Sequence, residues 1–115
     1  MKFFTITTTL FLLVFSAQAQ VLSVKEQAVT INEVLTDRID NLLPKLMDEA
    51  KIDCWLIISR EYNEDPILKT FLPAEWLSAR RTTMLVFYRD KKNESIHSYA
   101  IARYQVGKRI QAAWN

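Results

Sequence analysis

The stretch Ile52–Ser59, Ile52-Asp53-Cys54-Trp55-Leu56-Ile57-Ile58-Ser59, decides the fold class. Its centre, Cys54 to Ile58, is a continuous apolar run rich in β-formers. Such a run predicts a strand covered on both faces. Outward from it, Thr82–Tyr88 repeats the pattern, Arg89–Glu94 is polar and turn-like, and Ser95–Tyr104 predicts a third strand. The polar turn makes the second and third strands an antiparallel hairpin.

Upstream, apolar residues fall at Ile31, Val34, Leu35, Ile39, Leu42, Leu43, Leu46, Met47 and Ala50. Steps of three and four predict one long helix with a single apolar stripe, capped by Thr30 or Asn32. Asp37, Asp40, Asn41 and Asp48 fall on its other face. Pro44 lies inside the pattern and lacks the N–H that would bond the Asp40 carbonyl, so a kink is expected there. Asp65–Thr70 and Ala74–Ala79 read as short helices, and Val106–Trp114 as the start of another. The expected class is α/β, a mixed sheet of about three strands with a long N-terminal helix. One helix covers one sheet face, and little in the sequence covers the second, so the domain reads as incomplete at its C-terminus. Ile110, Ala112, Ala113 and Trp114 are expected to lack partners within the chain.

Of the 115 residues, Met1–Ala19 carry a signal-peptide pattern. Lys2 leads, an apolar stretch peaks at Leu10–Phe15, and Ser16-Ala17-Gln18-Ala19 sets small residues before a cut between Ala19 and Gln20. The apolar run falls short of the about 20 residues a membrane span needs. Export, to the periplasm, is the expectation, with no stable membrane anchor after cleavage. Residues 20–30 read as a flexible lead-in and 31–115 as one domain. Cleavage removes Lys2 and lowers the net charge by one from +2, a balance that does not call for nucleic acid as a partner.

Chemistry-bearing residues are few. The one cysteine, Cys54, closes no internal disulfide and reads as a small buried hydrophobe. The one histidine, His97, is expected to be structural or surface-exposed. Glu61, Glu64 and Asp65 cluster without calcium-loop spacing, and the single glycine, Gly107, leaves no glycine-rich phosphate cradle. The most distinctive polar segment is Ser59-Arg60-Glu61-Tyr62-Asn63-Glu64-Asp65-Pro66, at the C-terminal end of the first strand. Ligands of open α/β sheets bind outside strand C-termini. A capped loop explains the same residues, with Asn63 or Asp65 capping a helix that has Pro66 first. Arg60, Glu61, Tyr62, Asn63, Asp65, Arg80 and Arg81 are the binding or interface candidates, with no catalytic or metal residue among them.

Two stretches, RIDNLLPKLMDEAKIDCWLIISREYNEDP (Arg38–Pro66) and LPAEWLSARRTTMLVFY (Leu72–Tyr88), carry a family pattern. They resemble the N-terminal domain of the creatinase and aminopeptidase P family, the pita-bread metallopeptidases, and look most like exported Xaa-Pro aminopeptidase-like proteins. The resemblance extends to about Trp114. It implies a non-catalytic domain that makes oligomer contacts and shapes an active-site entrance. It also implies a separate catalytic domain with two divalent metals held by two Asp, one His and two Glu, which activate a water. None of those ligand motifs lies in this chain, so the resemblance implies no cofactor here and a fragment truncated before the catalytic domain. The implied partners are that domain or another subunit, including a homo-oligomer. A stand-alone exported peptide- or protein-binding module is the alternative. The family usually has glycine where Lys51 stands; if that position is left-handed, lysine costs about 1 kcal/mol.

Overall fold

The computed structural model describes residues 21–113. The leader and the Ala19/Gln20 cleavage site lie outside the described residues, as does Trp114.

A helix runs from Val24 to Ala50 in three parts: α1 (Val24–Asp37), a π-helical turn (Arg38–Leu42) and α2 (Leu43–Ala50). It begins earlier than the apolar period predicts, because Ser23 and Glu26 form a capping box. The Ser23 hydroxyl accepts from the Glu26 N–H, and the Glu26 carboxylate accepts from the Ser23 N–H at 2.8 Å. The residues read as a flexible lead-in are therefore largely helical. Neither Thr30 nor Asn32 caps; the Thr30 hydroxyl donates to the Glu26 carbonyl, and Asn32 Oδ1 accepts from the Ala74 N–H across the fold.

The disturbance expected at Pro44 takes the form of the π turn just before it. The Leu43 N–H donates to the Arg38 carbonyl, and Pro44 lies in the first turn of the next α-helical segment, where its missing N–H is not needed. The π turn also sets the buried stripe. Leu35, Ile39, Leu43 and Met47 are spaced by four and all lie within 4% exposure. On an ideal α-helix each step of four drifts by about 40°. The extra residue of a π turn offsets that drift and keeps the four side chains on one line. Four of the nine predicted stripe residues are buried; Ile31, Val34, Leu42, Leu46 and Ala50 are exposed.

The helix ends in a Schellman motif. Lys51 is left-handed (φ 56°, ψ 41°), its N–H bonds the Asp48 carbonyl, and the Ile52 N–H bonds the Met47 carbonyl at 2.9 Å. Lys51→Gly is therefore expected to raise the unfolding free energy by about 1 kcal/mol, read as a higher urea midpoint at constant slope.

The sheet is mixed, in the order β1-β2-β3-β4, with β1 Cys54–Arg60, β2 Thr82–Asp90, β3 Ser95–Ile101 and β4 Gln111–Ala112. β1/β2 and β2/β3 are antiparallel; β3/β4 is parallel. The three longer strands follow the sequence expectation. Two predicted helices do not form. Ala74–Ala79 is turns and bends, and the segment after Val106 is a turn leading into β4. Ile110 is fully buried in the chain's own core, contrary to the expectation that it lacks partners, while Ala112 and Ala113 are exposed. The predicted short helix at Asp65–Thr70 is present as α3, Pro66–Thr70.

The core lies between the long helix and one sheet face. Ile57, Leu85, Phe87, Ile96 and Ala100 point into it, joined by Leu68, Phe71 and Leu72 from α3 and the loop after it. Trp55 and Phe71 meet edge to face at 5.9 Å, and Phe71 and Phe87 lie 4.7 Å apart.

Candidate interaction surface

Alternation along a strand sends successive side chains to opposite faces. In β1 it sends Trp55, Ile57 and Ser59 toward the helix and Cys54, Leu56 and Ile58 away from it. The continuous apolar run predicted cover on both faces, but only one is covered. Leu56 is 51% exposed, Ile58 54%, Tyr88 50% and Ile101 39%. Cys54 is exposed for the same reason, and is not the buried hydrophobe expected from its neighbours.

The strand register arranges the open face in rows. Leu56, Val86 and Tyr99 form the middle row. Ile58, Met84 and Ile101 lie on one side of it, and Cys54, Tyr88 and His97 on the other. The result is a largely apolar surface three strands wide. Isolated exposed apolar residues are ordinary, but a contiguous patch of this kind marks a contact surface.

One end of the face is cationic. Arg80, Arg81 and Arg103 line a groove of about 480 Å³ with Thr82, Met84, Ile101 and Ala102. Arg60, at the end of β1, shares the open-face parity of Leu56 and Ile58. Among the described residues, none of these four arginines forms an ion pair with a carboxylate.

The polar loop named from the sequence adjoins this end. The Glu61 N–H donates to the Arg81 carbonyl at 2.6 Å, and Glu61 Oε2 accepts from the Arg81 N–H at 3.2 Å, so the loop and Arg80-Arg81 come together. Asn63 closes a tight turn by donating its N–H to the Arg60 carbonyl at 3.0 Å, and Tyr62, at φ 68°, projects into solvent. Asp65 caps α3: its Oδ1 accepts from the Ile67 N–H at 2.8 Å, and its own N–H donates to the Ser59 hydroxyl. Capping thus accounts for Asp65, while Arg60, Arg80 and Arg81 remain free to meet a ligand. Arg103 went unnamed from sequence because only the register of β3 against β2 brings it here.

Comparison with known proteins gives no match among family models, curated proteins or solved structures. Its chemistry is therefore read from geometry alone. His97 lies on the open face, 3.9 Å from Asp90 Oδ2 and stacked on Tyr88. The adjacent Ser98 points to the covered face, where its hydroxyl donates to the Arg109 carbonyl at 3.0 Å. Cys54 is in the same row as His97 but two strands away, roughly 10 Å, too far for a thiol–imidazole pair. Among the described residues no group of three or more His, Cys, Asp or Glu side chains is arranged to hold a metal ion.

The end of the face away from the arginines is closed by Asp90 and the turn that follows it, which carries Lys91 and Lys92. Asp90 accepts from the Lys92 N–H at 2.9 Å and from the Asn93 side chain at 2.7 Å. These bonds, the Lys92 backbone bond first, hold its carboxyl below the usual carboxylate range. A depressed pKa in the folded state stabilises the fold above the unfolded pKa, and that contribution disappears as pH falls through the folded value. The hairpin turn Lys91–Glu94 is thus expected to loosen only below about pH 4, the unfolded carboxylate range. An NMR titration of the Asp90 carboxyl and the Lys92 amide checks it; a midpoint at or above the ordinary aspartate value would refute it.

Proposed function

We propose that this chain is a non-catalytic interaction domain that works by docking its open sheet face onto a protein surface. The observation that carries this reading is the in-register apolar face built on the row Leu56, Val86 and Tyr99, on which Leu56, Ile58, Tyr88 and Ile101 are exposed, bordered by arginines that form no ion pair among the described residues. The α/β layering and the helix-then-strand order are compatible with the family resemblance of Arg38–Tyr88. In that reading the domain serves an exported Xaa-Pro aminopeptidase-like metallopeptidase, making oligomer contacts and shaping the entrance to an active site held elsewhere. The leader pattern supports export to the periplasm, and no helix among the described residues is long and apolar enough to cross a membrane. The arginine-lined groove favours a second form of the same idea, a stand-alone module that binds an acidic peptide or protein.

An apolar fluorescent dye tests the surface. The dye should bind the exported chain and be displaced from Val86→Lys and Leu56→Lys variants that keep their circular dichroism. Absence of dye binding would sink the docking reading. The family part is tested by sequencing the gene past the codon for Asn115, where a frame encoding the two-Asp, one-His, two-Glu ligand set is expected. Turnover of Xaa-Pro peptides by this chain alone, with manganese added, would overturn the non-catalytic assignment.

A further inference from the structure

We propose that the outer edge of β1 is a strand-addition site that takes an extended segment of a partner protein, about five residues long. The site is the backbone of one strand. It is separate from the open face, which is built from the side chains of three.

The ladder fixes which backbone groups are unpaired. In the sheet, β1 has a neighbouring strand on one side only. Before β1 the Arg89 N–H donates to the Asp53 carbonyl at 2.9 Å, and after it the Glu61 N–H donates to the Arg81 carbonyl at 2.6 Å. In an antiparallel ladder, residues that bond the neighbour alternate with residues that do not. Between those two bonds the register is continuous, so Trp55, Ile57 and Ser59 turn N–H and C=O toward β2. Cys54, Leu56 and Ile58 turn theirs outward. Among the described residues, no backbone or side-chain group bonds the outward N–H or C=O of these three. The Arg60 carbonyl, next in the series, accepts from the Asn63 N–H at 3.0 Å, so the turn after β1 closes the row at that end.

Proteins usually guard such an edge with a lysine, a proline, a bulge or a very short strand. The opposite edge of this sheet follows that rule, since β4 is two residues long. β1 does not. Cys54–Ile58 has no proline and no charged residue, and its pairing with β2 runs without a bulge. Leu56 and Ile58, whose backbone points outward, are also more than half exposed. The unpaired donors and acceptors recur at every second residue, about 6.6 Å apart. Another extended backbone matches that spacing, and a small ligand does not.

The surroundings specify the occupant. The row from Cys54 to Ile58 sets its length at about five residues, roughly 17 Å. On the open-face side its side chains meet Leu56 and Ile58, so β-branched or other apolar residues fit there. The next position on that side lies beside Arg60, which forms no ion pair among the described residues, so a carboxylate fits it.

Amide hydrogen exchange of the chain, followed by NMR with and without excess peptide, tests the proposal. The probe is the capped peptide Glu-Thr-Val-Thr-Val-Thr-Glu, which in either direction sets valines beside Leu56 and Ile58 and a glutamate beside Arg60. Without it, the Leu56 and Ile58 amides should exchange fast and those of Trp55 and Ile57 slowly. With it, the Leu56 and Ile58 amides should gain about tenfold protection. Peptides methylated at the valine amides or at the threonine amides should differ, one set losing binding and the other keeping it, because alternate amides face β1. Leu56→Pro removes an outward N–H and no bond to β2, so it should keep the fold and weaken binding about tenfold. The methylated peptides test the same bonds on the unaltered chain, should that variant fail to fold. Val86→Lys, on the open face, should leave peptide binding unchanged. Four results would overturn the inference. One is no gain of protection at Leu56 and Ile58. Another is equal binding by both methylated peptides and the parent. A third is protection at Leu56 and Ile58 that rises with protein concentration in the absence of peptide, which would make a second copy the occupant. The last is binding lost in Val86→Lys but kept in Leu56→Pro, which would place the peptide on the open face.

Discussion

Replacing Phe87 with alanine should cost the domain about 3–5 kcal/mol, the range for emptying a phenylalanine site in a packed core. Phe87 is fully buried in the central region of β2, beside Phe71 and across the register from Trp55. The neighbouring groups cannot collapse freely into the gap. Trp55 is on a hydrogen-bonded strand, and Phe71 follows α3, whose Asp65 cap is tied to Ser59 of β1. A domain of this size has a total stability of about 5–15 kcal/mol, so the loss is a large part of it. The adjacent Val86 provides the control. It is one residue away and faces the opposite side of the sheet, so Val86→Ala should cost under about 1 kcal/mol in the monomer. Urea titrations of both variants at low protein concentration check the pair. Equal losses would mean that the two faces are equally covered, and the open-face description would fail.

The contrast between Phe87 and Val86 also shows why sequence alone misjudged the sheet. Period-two alternation is legible only when one face is polar. In Cys54–Ile58 and Thr82–Tyr88 both faces are apolar, so residue type carries no mark of which face lacks cover. The strands themselves, the hairpin and the long helix were legible, because run length and the three-four period are local. The early start of the helix was legible too, in Ser23-x-x-Glu26, but the apolar period over Val24–Thr30 is too sparse to draw attention to it. The polar loop was half readable. Its Asp65-Pro66 cap is a local device, whereas the pairing of Glu61 with Arg81 depends on chain reversal twenty residues later. The arginine end of the face depends on register across three strands, which no local pattern encodes.

The C-terminal segment shows the same limit, and Gly107 explains it. Apolar residues from Val106 to Trp114 fit a helical period, yet the backbone at Gly107 is left-handed, at φ 62°, and ends any helix before it starts. Gly107→Val should cost about 3 kcal/mol, from two sources that add. A non-glycine residue in the left-handed region costs about 1–2 kcal/mol, and β-branching makes that conformation worse. A Cβ at this position would also sit 3.0 Å from both Cβ and Cγ of Pro73, whose ring is fixed to the backbone and cannot swing aside. Overpacking of that kind costs about 1–3 kcal/mol.

Gly107→Asn separates the two sources. Asparagine tolerates the left-handed region, so it relieves much of the strain but keeps the Cβ contact. An intermediate loss, between wild type and valine, is the expected result. An asparagine variant as stable as wild type would show that the Pro73 contact relaxes without cost. The damage should also be local before it is global. The turn is held by the Gln105 side-chain amide, which donates to the Gly107 and Ile110 carbonyls at 2.9 Å each. Arg109, two residues on, anchors the segment through Asp40, the Ser98 hydroxyl and the Ile96 carbonyl. Displacing Gly107 pulls on both sets of bonds and frees β4 from β3. Hydrogen exchange should therefore show the Ala113 amide, which donates to the Ala100 carbonyl, losing protection before the amides of β1 and β2 do. Simultaneous loss at all these sites would mean that the C-terminal turn and the three-stranded sheet unfold as one unit.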